Sequence, residues 1–126
     1  MTHELEGTTA LVTGCRRGIG KAAALALARA GADIVGVSLS LDETDEVAAE
    51  TRAAGRRFTA YRCDLGDRDA VHALTRQLRK EQPSLEILVL NAGTIARSPA
   101  VDHGDELWDR VIDVNLTGPF ILAREL

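Results

Sequence analysis

The chain has 126 residues, 45% apolar and 27% charged, which suits one small globular domain with a moderate core and argues against disorder. A formal net charge of -4 argues against a nucleic-acid or anionic-membrane partner, because those surfaces need clustered positive charge. Cys15 and Cys63 are too few for a secreted disulfide framework, "MTHELEG" lacks the basic end and apolar stretch of a leader, and no apolar run approaches the ~20 residues of a membrane span, so a cytoplasmic protein with reduced thiols is expected.

In chain order the pattern alternates between two periods. "TTALVTG" is a short run rich in β-branched residues and reads as a strand; "KAAALALARAG" is nearly all strong helix formers and stops at Gly31. "ADIVGVSLS" reads as a second strand and "DETDEVAAETRAAG" as a helix with acids in its first turn and Gly55 past its end. "RRFTAYRCD" is a third strand. "DRDAVHALTRQLRKEQP" then places Val71, Leu74 and Leu78 on one helical face, with Asp67 as N-cap and Pro83 after the stop. "LEILVLNAG" is the fourth strand, and from about Asp105 Leu107, Val111, Ile112 and Val114 fall at largely helical spacing. Strands alternating with helices imply right-handed crossovers and a parallel sheet covered on both faces. The expected fold is therefore α/β, a Rossmann-type doubly wound sheet. Residues 1–126 form a single, incomplete dinucleotide-binding domain, with the pattern stopping after the fourth strand and its following helix. A fourth strand with one bare edge would recruit other chains, and a homo-oligomer is expected.

"TGCRRGIG", residues 13 to 20, lies between the first strand and the first helix, where a doubly wound sheet binds a dinucleotide. Gly14 permits the tight turn, Gly18 lets a pyrophosphate approach the main chain, and Gly20 allows close helix packing, with the phosphate on free N–H groups of the helix. A plain strand-to-helix turn would also use glycine, so the cluster needs its context.

That context resembles the classical short-chain dehydrogenase/reductase family. "TGCRRGIG" is similar to its T-G-x-x-x-G-[IL]-G cofactor loop, "CDL" at 63 to 65 to its adenine contact, "NAG" at 91 to 93 to its motif after strand four, and "VNLTGPF" at 114 to 120 to its catalytic asparagine segment. The resemblance implies that Gly14, Gly18, Ile19 and Gly20 line the pyrophosphate and ribose, that Asp64 and Leu65 meet the adenine, and that Asn91, Ala92 and Gly93 lie near the nicotinamide ribose. It assigns Asn115 to a proton relay. It also implies an oxidoreductase that moves a hydride between NAD(P) and a secondary alcohol or ketone, a small-molecule substrate. Leu90 stands where the family commonly has a first Asn. The family's Ser and Tyr-x-x-x-Lys are not among these residues; Tyr61 is the one tyrosine and has no lysine four positions later. The alternative is a nucleotide-binding fragment without catalysis. "AAGRRF", "NAGTIARSPA" and "VDHGDELWDRVIDVNL" further resemble the 2-deoxy-D-gluconate 3-dehydrogenase and related sugar-acid branch.

Arg16 and Arg17 suit bidentate pairing with a 2'-phosphate, or are two solvated loop arginines. Ser38 to Ser40 stand where an NAD enzyme places an acid, ~20 residues after the first glycine, and Asp42 comes slightly late and reads as a helix acid. The cofactor is thus NAD(P) with a lean to NADP. Asp64 precedes Gly66 and would also serve a turn. Arg97 is a candidate to meet an acidic substrate or a plain loop residue, and Trp108 is expected to pack. His3, His72 and His103 share no ligand spacing, so no metal is expected.

Overall fold

The computed structural model describes residues 3–126. Four parallel strands, β1 (Thr9–Thr13), β2 (Asp33–Ser38), β3 (Phe58–Arg62) and β4 (Leu85–Val89), lie in the order β3-β2-β1-β4. Between and after them run α1 (Gly18–Arg29), α2 (Glu46–Ala53), α3 (Arg68–Glu81), α4 (Asp105–Ile112) and α5 (Gly118–Glu125). β1 carries no polar alternation because both of its faces are covered: Ala10, Leu11 and Val12 are all fully buried.

The two faces have separate cores. Ala10, Val12, Ile34 and Phe58 pack with Ala24, Ala28, Val47 and Ala48 of α1 and α2. Leu11, Val35, Val37 and Tyr61 pack with Val71, Leu74 and Leu78 of α3 and with Ile121 and Leu122 of α5. The alanine-rich α1 therefore lies close to the sheet, while α3 presents a leucine face, as its period requires. Asp67 caps α3 by accepting a hydrogen bond from the Ala70 N–H at 3.1 Å.

Having built outward from β1 to β3, the chain crosses by α3 to the other side of β1 and lays down β4. Reversal of the strand order at β1 leaves a crevice beyond the carboxyl ends of β1 and β4, where open α/β sheets place ligands. That crossover positions the site.

Three expectations need correction. The second helix begins at Glu46, not at residue 42: Asp42 accepts hydrogen bonds from the Thr44 N–H and hydroxyl, and this local turn holds the chain out of the helix. Trp108 does not pack; it is 62% exposed and α4 buries no residue, because no element among the described residues covers its apolar face. The last helical segment is also not uniform, since residues Asp113–Thr117 form a π turn joining α4 to α5. Among the described residues β4 pairs only with β1, and Leu85, Ile87, Leu88 and Val89 are half-buried. Among the described residues no helix is long and apolar enough to cross a membrane, and no group of three or more His, Cys, Asp or Glu is placed to hold a metal.

Candidate cofactor cleft

A cleft of about 460 Å³ opens across the carboxyl ends of the strands. Its wall includes Gly14, Arg16, Arg17, Ser38, Asp64, Leu65, Asn91, Ala92 and Gly93, which the sequence analysis had singled out from four separate segments. Gly18, Ile19, Gly20 and Asn115 are not in that wall. Gly18 and Ile19 stand exposed at the start of α1, and Gly20 is buried behind it.

The β1–α1 turn shows why its glycines are there. Gly14 (φ +65) and Gly18 (φ +61) occupy the left-handed region that a side chain disfavours. At Gly14 an added Cβ would lie 2.9 Å from the Ala92 Cα, and at Gly20 it would run into the Gly14 carbonyl, so these two set how closely the turn packs. Space above Gly18 is open. The N-cap of α1 is Arg17, which makes no side-chain cap, and the first turn contains no acid. An uncapped, acid-free helix start offers unpaired N–H groups and a positive dipole end, which fits a diphosphate.

The two arginines differ. Arg16 donates from Nε to Asp45 and from Nη1 to the Ser40 hydroxyl, each at 3.1 Å, so it fastens the turn to the segment after β2. Arg17 is exposed and makes no ion pair or side-chain hydrogen bond among the described residues. With Ser38, Leu39 and Ser40 it borders a part of the cleft without an acid; Asp45 lies outside the wall and is paired with Arg16.

Asp64 does serve its local turn: Oδ1 accepts the Gly66 N–H at 2.9 Å. The same oxygen accepts a hydrogen bond from Arg110 Nη1 at 2.7 Å. Burial alone would raise the Asp64 carboxyl, but the Gly66 N–H and the guanidinium outweigh it and hold the group below its usual range. Beside it, burial first and then the charges of Asp64 and Asp67 push the Cys63 thiol up to about 11, so it is a neutral wall residue.

At the opposite end, the Thr13 hydroxyl accepts the N–H groups of Asn91 and Ala92, both at 3.0 Å. Asn115 grips the same loop: its Oδ1 accepts the Thr94 N–H at 2.8 Å and its Nδ2 donates to the Thr94 carbonyl at 2.9 Å. The Asn115 amide is thus committed to the loop. Its main-chain carbonyl is a different matter, because Pro119, four residues on, has no N–H to give, and the Gly118 N–H turns back five residues to Asp113.

Sequence reasoning missed the wall residues Val37, Thr94 and Arg110, and it met Cys63 and Val114 as the first residues of motifs, without a role of their own in the cleft. Arg110 is the consequential one, since it is charged and reaches Asp64 across 46 positions. Its only sequence signal was a basic residue in the last turn of an acid-started helix, which points equally to a solvated face. Arg97 is exposed and makes no ion pair among the described residues, and Tyr61 lies away from the cleft, its hydroxyl donating to Glu81 at 2.9 Å.

Comparison with known proteins gives the family and the fold. A family model described as short chain dehydrogenase matches residues 8–126. Over 123 residues the chain is 58% identical to the 2-dehydro-3-deoxy-D-gluconate 5-dehydrogenase of Pseudoalteromonas atlantica, covering 97% of this chain and 48% of that protein. A metagenomic short-chain oxidoreductase solved in complex with NADP superposes with a TM-score of 0.91 at 34% identity, covering 98% of this chain and 55% of that one. A protein from Agrobacterium tumefaciens with bound NADP, provisionally named a 2-deoxy-D-gluconate 3-dehydrogenase, gives 0.84 at 33% identity, over 98% and 47%. The chain spans about half the length of the curated relatives it matches.

Proposed function

The chain belongs to the short-chain dehydrogenase family, and from that premise we propose that it forms the cofactor-binding part of an NADP(H)-dependent oxidoreductase acting on a sugar acid. The observation that carries this reading is the cleft itself: an uncapped α1 start, a free Arg17, an ionised Asp64 and the Asn91–Ala92–Gly93 loop converge on one space.

When bound, a nicotinamide cofactor supplies the hydride chemistry, and the protein orients it and handles the proton. The N–H groups at the start of α1 hold the diphosphate, and Arg17 meets the 2'-phosphate while Arg16 keeps the turn in place. Asp64 and Leu65 receive the adenine. Asn91, Ala92 and Gly93, pinned by Thr13 and Asn115, face the nicotinamide ribose. Asn115 offers its carbonyl, not its amide, to an ordered water on the proton path. Partner choice follows: a small molecule, with residues 1–126 acting as one dinucleotide-binding domain.

For the substrate, the relative that is 58% identical favours 2-dehydro-3-deoxy-D-gluconate over the 2-deoxy-D-gluconate named for the protein that is 33% identical. A second reading has a specific observation behind it. Tyr61 is buried to 7% exposure and bonded to Glu81 outside the cleft, so these residues by themselves bind a nucleotide without a tyrosine acid. Titrating NADPH and NADH into the chain and following nicotinamide fluorescence tests the binding they share. Saturable NADPH binding that Gly14→Val abolishes is expected; no binding of either cofactor overturns both readings.

A further inference from the structure

Asp64 has two carboxylate oxygens and uses only one of them on the protein. Oδ1 accepts both the Gly66 N–H at 2.9 Å and Arg110 Nη1 at 2.7 Å, and Oδ2 has no protein donor among the described residues. Both side chains line the cleft. A half-exposed ion pair of this kind contributes little to stability, so holding the fold together is a poor account of it.

The contact is a close one that uses the bare backbone of a glycine. Gly66 sits where an added Cβ would run into Arg110 Nη1 and lie 2.9 Å from its Cζ, so the guanidinium rests on the bare backbone of the turn that carries Asp64. Gly66 has no positive φ that would otherwise call for glycine. With two fixed donors on Oδ1, rotation of the carboxylate is restrained and Oδ2 is left as an oriented acceptor.

We propose that Arg110 is a positioning residue for base recognition: it fixes the Asp64 carboxylate so that Oδ2 accepts from the exocyclic amino group of an adenine in the cleft. The inference rests on the cofactor reading above. It goes further in giving α4 a part in choosing the base, and in making discrimination between a 6-amino and a 6-oxo purine depend on a residue 46 positions from the one that touches it. A 6-oxo base presents an acceptor to Oδ2 and is disfavoured.

The test compares NADPH with its hypoxanthine analogue, deamino-NADPH, by fluorescence titration of the 126-residue chain and its variants. The unaltered chain is expected to prefer the adenine cofactor by about ten-fold or more, the scale of one hydrogen bond to a charged acceptor. Asp64→Ala should bring the ratio near one. Arg110→Gln should do most of the same, and Arg110→Lys should restore part of the preference, because one ammonium donor replaces the fork. Gly66→Ala keeps both charged residues but displaces the guanidinium from the turn, and it should lower the ratio in the direction of Arg110→Gln; this variant keeps the test decisive where Arg110→Gln fails to fold. Arg17→Ala should weaken both cofactors and leave the ratio unchanged. A ratio lost in Asp64→Ala but kept in Arg110→Gln or Gly66→Ala overturns the role of Arg110 alone. Failure of the unaltered chain to bind either cofactor overturns the cofactor reading and the inference with it, whereas binding both with equal affinity overturns the inference alone.

Discussion

Replacing Thr13 by Val removes one oxygen and keeps the shape. The β1–β4 ladder ends at Val12 and Val89, and the next step is made by a side chain: the Thr13 hydroxyl accepts the N–H groups of Asn91 and Ala92 at 3.0 Å. Thr13 is 1% exposed, so a methyl in place of the hydroxyl is kept from solvent and must also push back the two N–H groups that approached the oxygen. Two hydrogen bonds at about 1 kcal/mol net each give about 2 kcal/mol, an upper figure because Asn91 is exposed and its N–H can turn to water. For a domain of this size each kcal/mol shifts Tm by about 4 °C, so a fall of about 8 °C is expected. Thr13→Ser separates the causes. It keeps the hydroxyl and loses one buried methyl, about 0.8 kcal/mol. Thermal unfolding followed by circular dichroism should rank the original above Ser and Ser above Val, and NADPH affinity should survive in Ser and fall in Val. A Val variant that melts within about 2 °C of the original and binds NADPH as well would refute the claim that this hydroxyl holds the loop.

Arg17→Ala should weaken NADPH selectively, and equal loss of NADH affinity would show that the arginine meets only the shared diphosphate or the fold. The 126-residue chain should show no dehydrogenase turnover, since its one tyrosine is buried against Glu81; sugar-acid oxidation by the purified chain that Asn115→Ala abolishes would contradict this. Burial pushes both thiols, Cys15 and Cys63, from 9.0 up to about 11. A folded pKa above the unfolded one means stability is fully present below pH 9.0 and declines as pH rises toward about 11. Urea midpoints across that range should fall, and less so in Cys15→Ala; a flat profile would sink the assignment.

Much of the site was legible because its residues sit at the ends of strands, where turn chemistry is local. Gly14 and Gly18 announce a backbone conformation, and Asp64 and Asn91 follow apolar runs whose period already located the strands. What could not be read were pairings made by packing across the chain. Nothing near Arg16 in sequence says that Asp45 and Ser40 will occupy it and leave Arg17 free, and nothing near Arg110 points to Asp64. Trp108 shows the same limit from the other side: amphipathic spacing reports an apolar face, but not what covers it. Pro119 gave a partial warning, since a missing N–H requires a fault in the helix but leaves open where the backbone absorbs it. Here the fault lies just upstream of the proline, in the π turn Asp113–Thr117.

That turn yields the last prediction. Pro119 has no N–H for the Asn115 carbonyl, and the Gly118 N–H is taken by the Asp113 carbonyl in place of that of Val114. Two successive carbonyls, those of Val114 and Asn115, therefore lack the donor an α-helix would give them. The Asn115 amide is occupied by Thr94 on both of its atoms, so the polar group the residue can offer elsewhere is that carbonyl, which has no N–H four residues on. A competing account is packing alone: a Cβ at Gly118 would collide with the Leu65 carbonyl, so a close approach of helix and turn is also served. Pro119→Ala distinguishes the two, because it leaves Gly118 in place and supplies an N–H four residues after Asn115. Both accounts allow the variant to be more stable, since an interior proline costs about 3 kcal/mol. They differ in chemistry. In a chain that also carries the Tyr-x-x-x-Lys pair, a carbonyl closed into the helix no longer holds the relay water, and kcat should fall at least ten-fold, within the ~10²–10⁴ that proton transfer contributes. NADPH affinity should not change, because the Asn115 amide still grips Thr94. A Pro119→Ala enzyme with raised Tm and unaltered kcat would assign the π turn to packing and remove Asn115's carbonyl from the proton path.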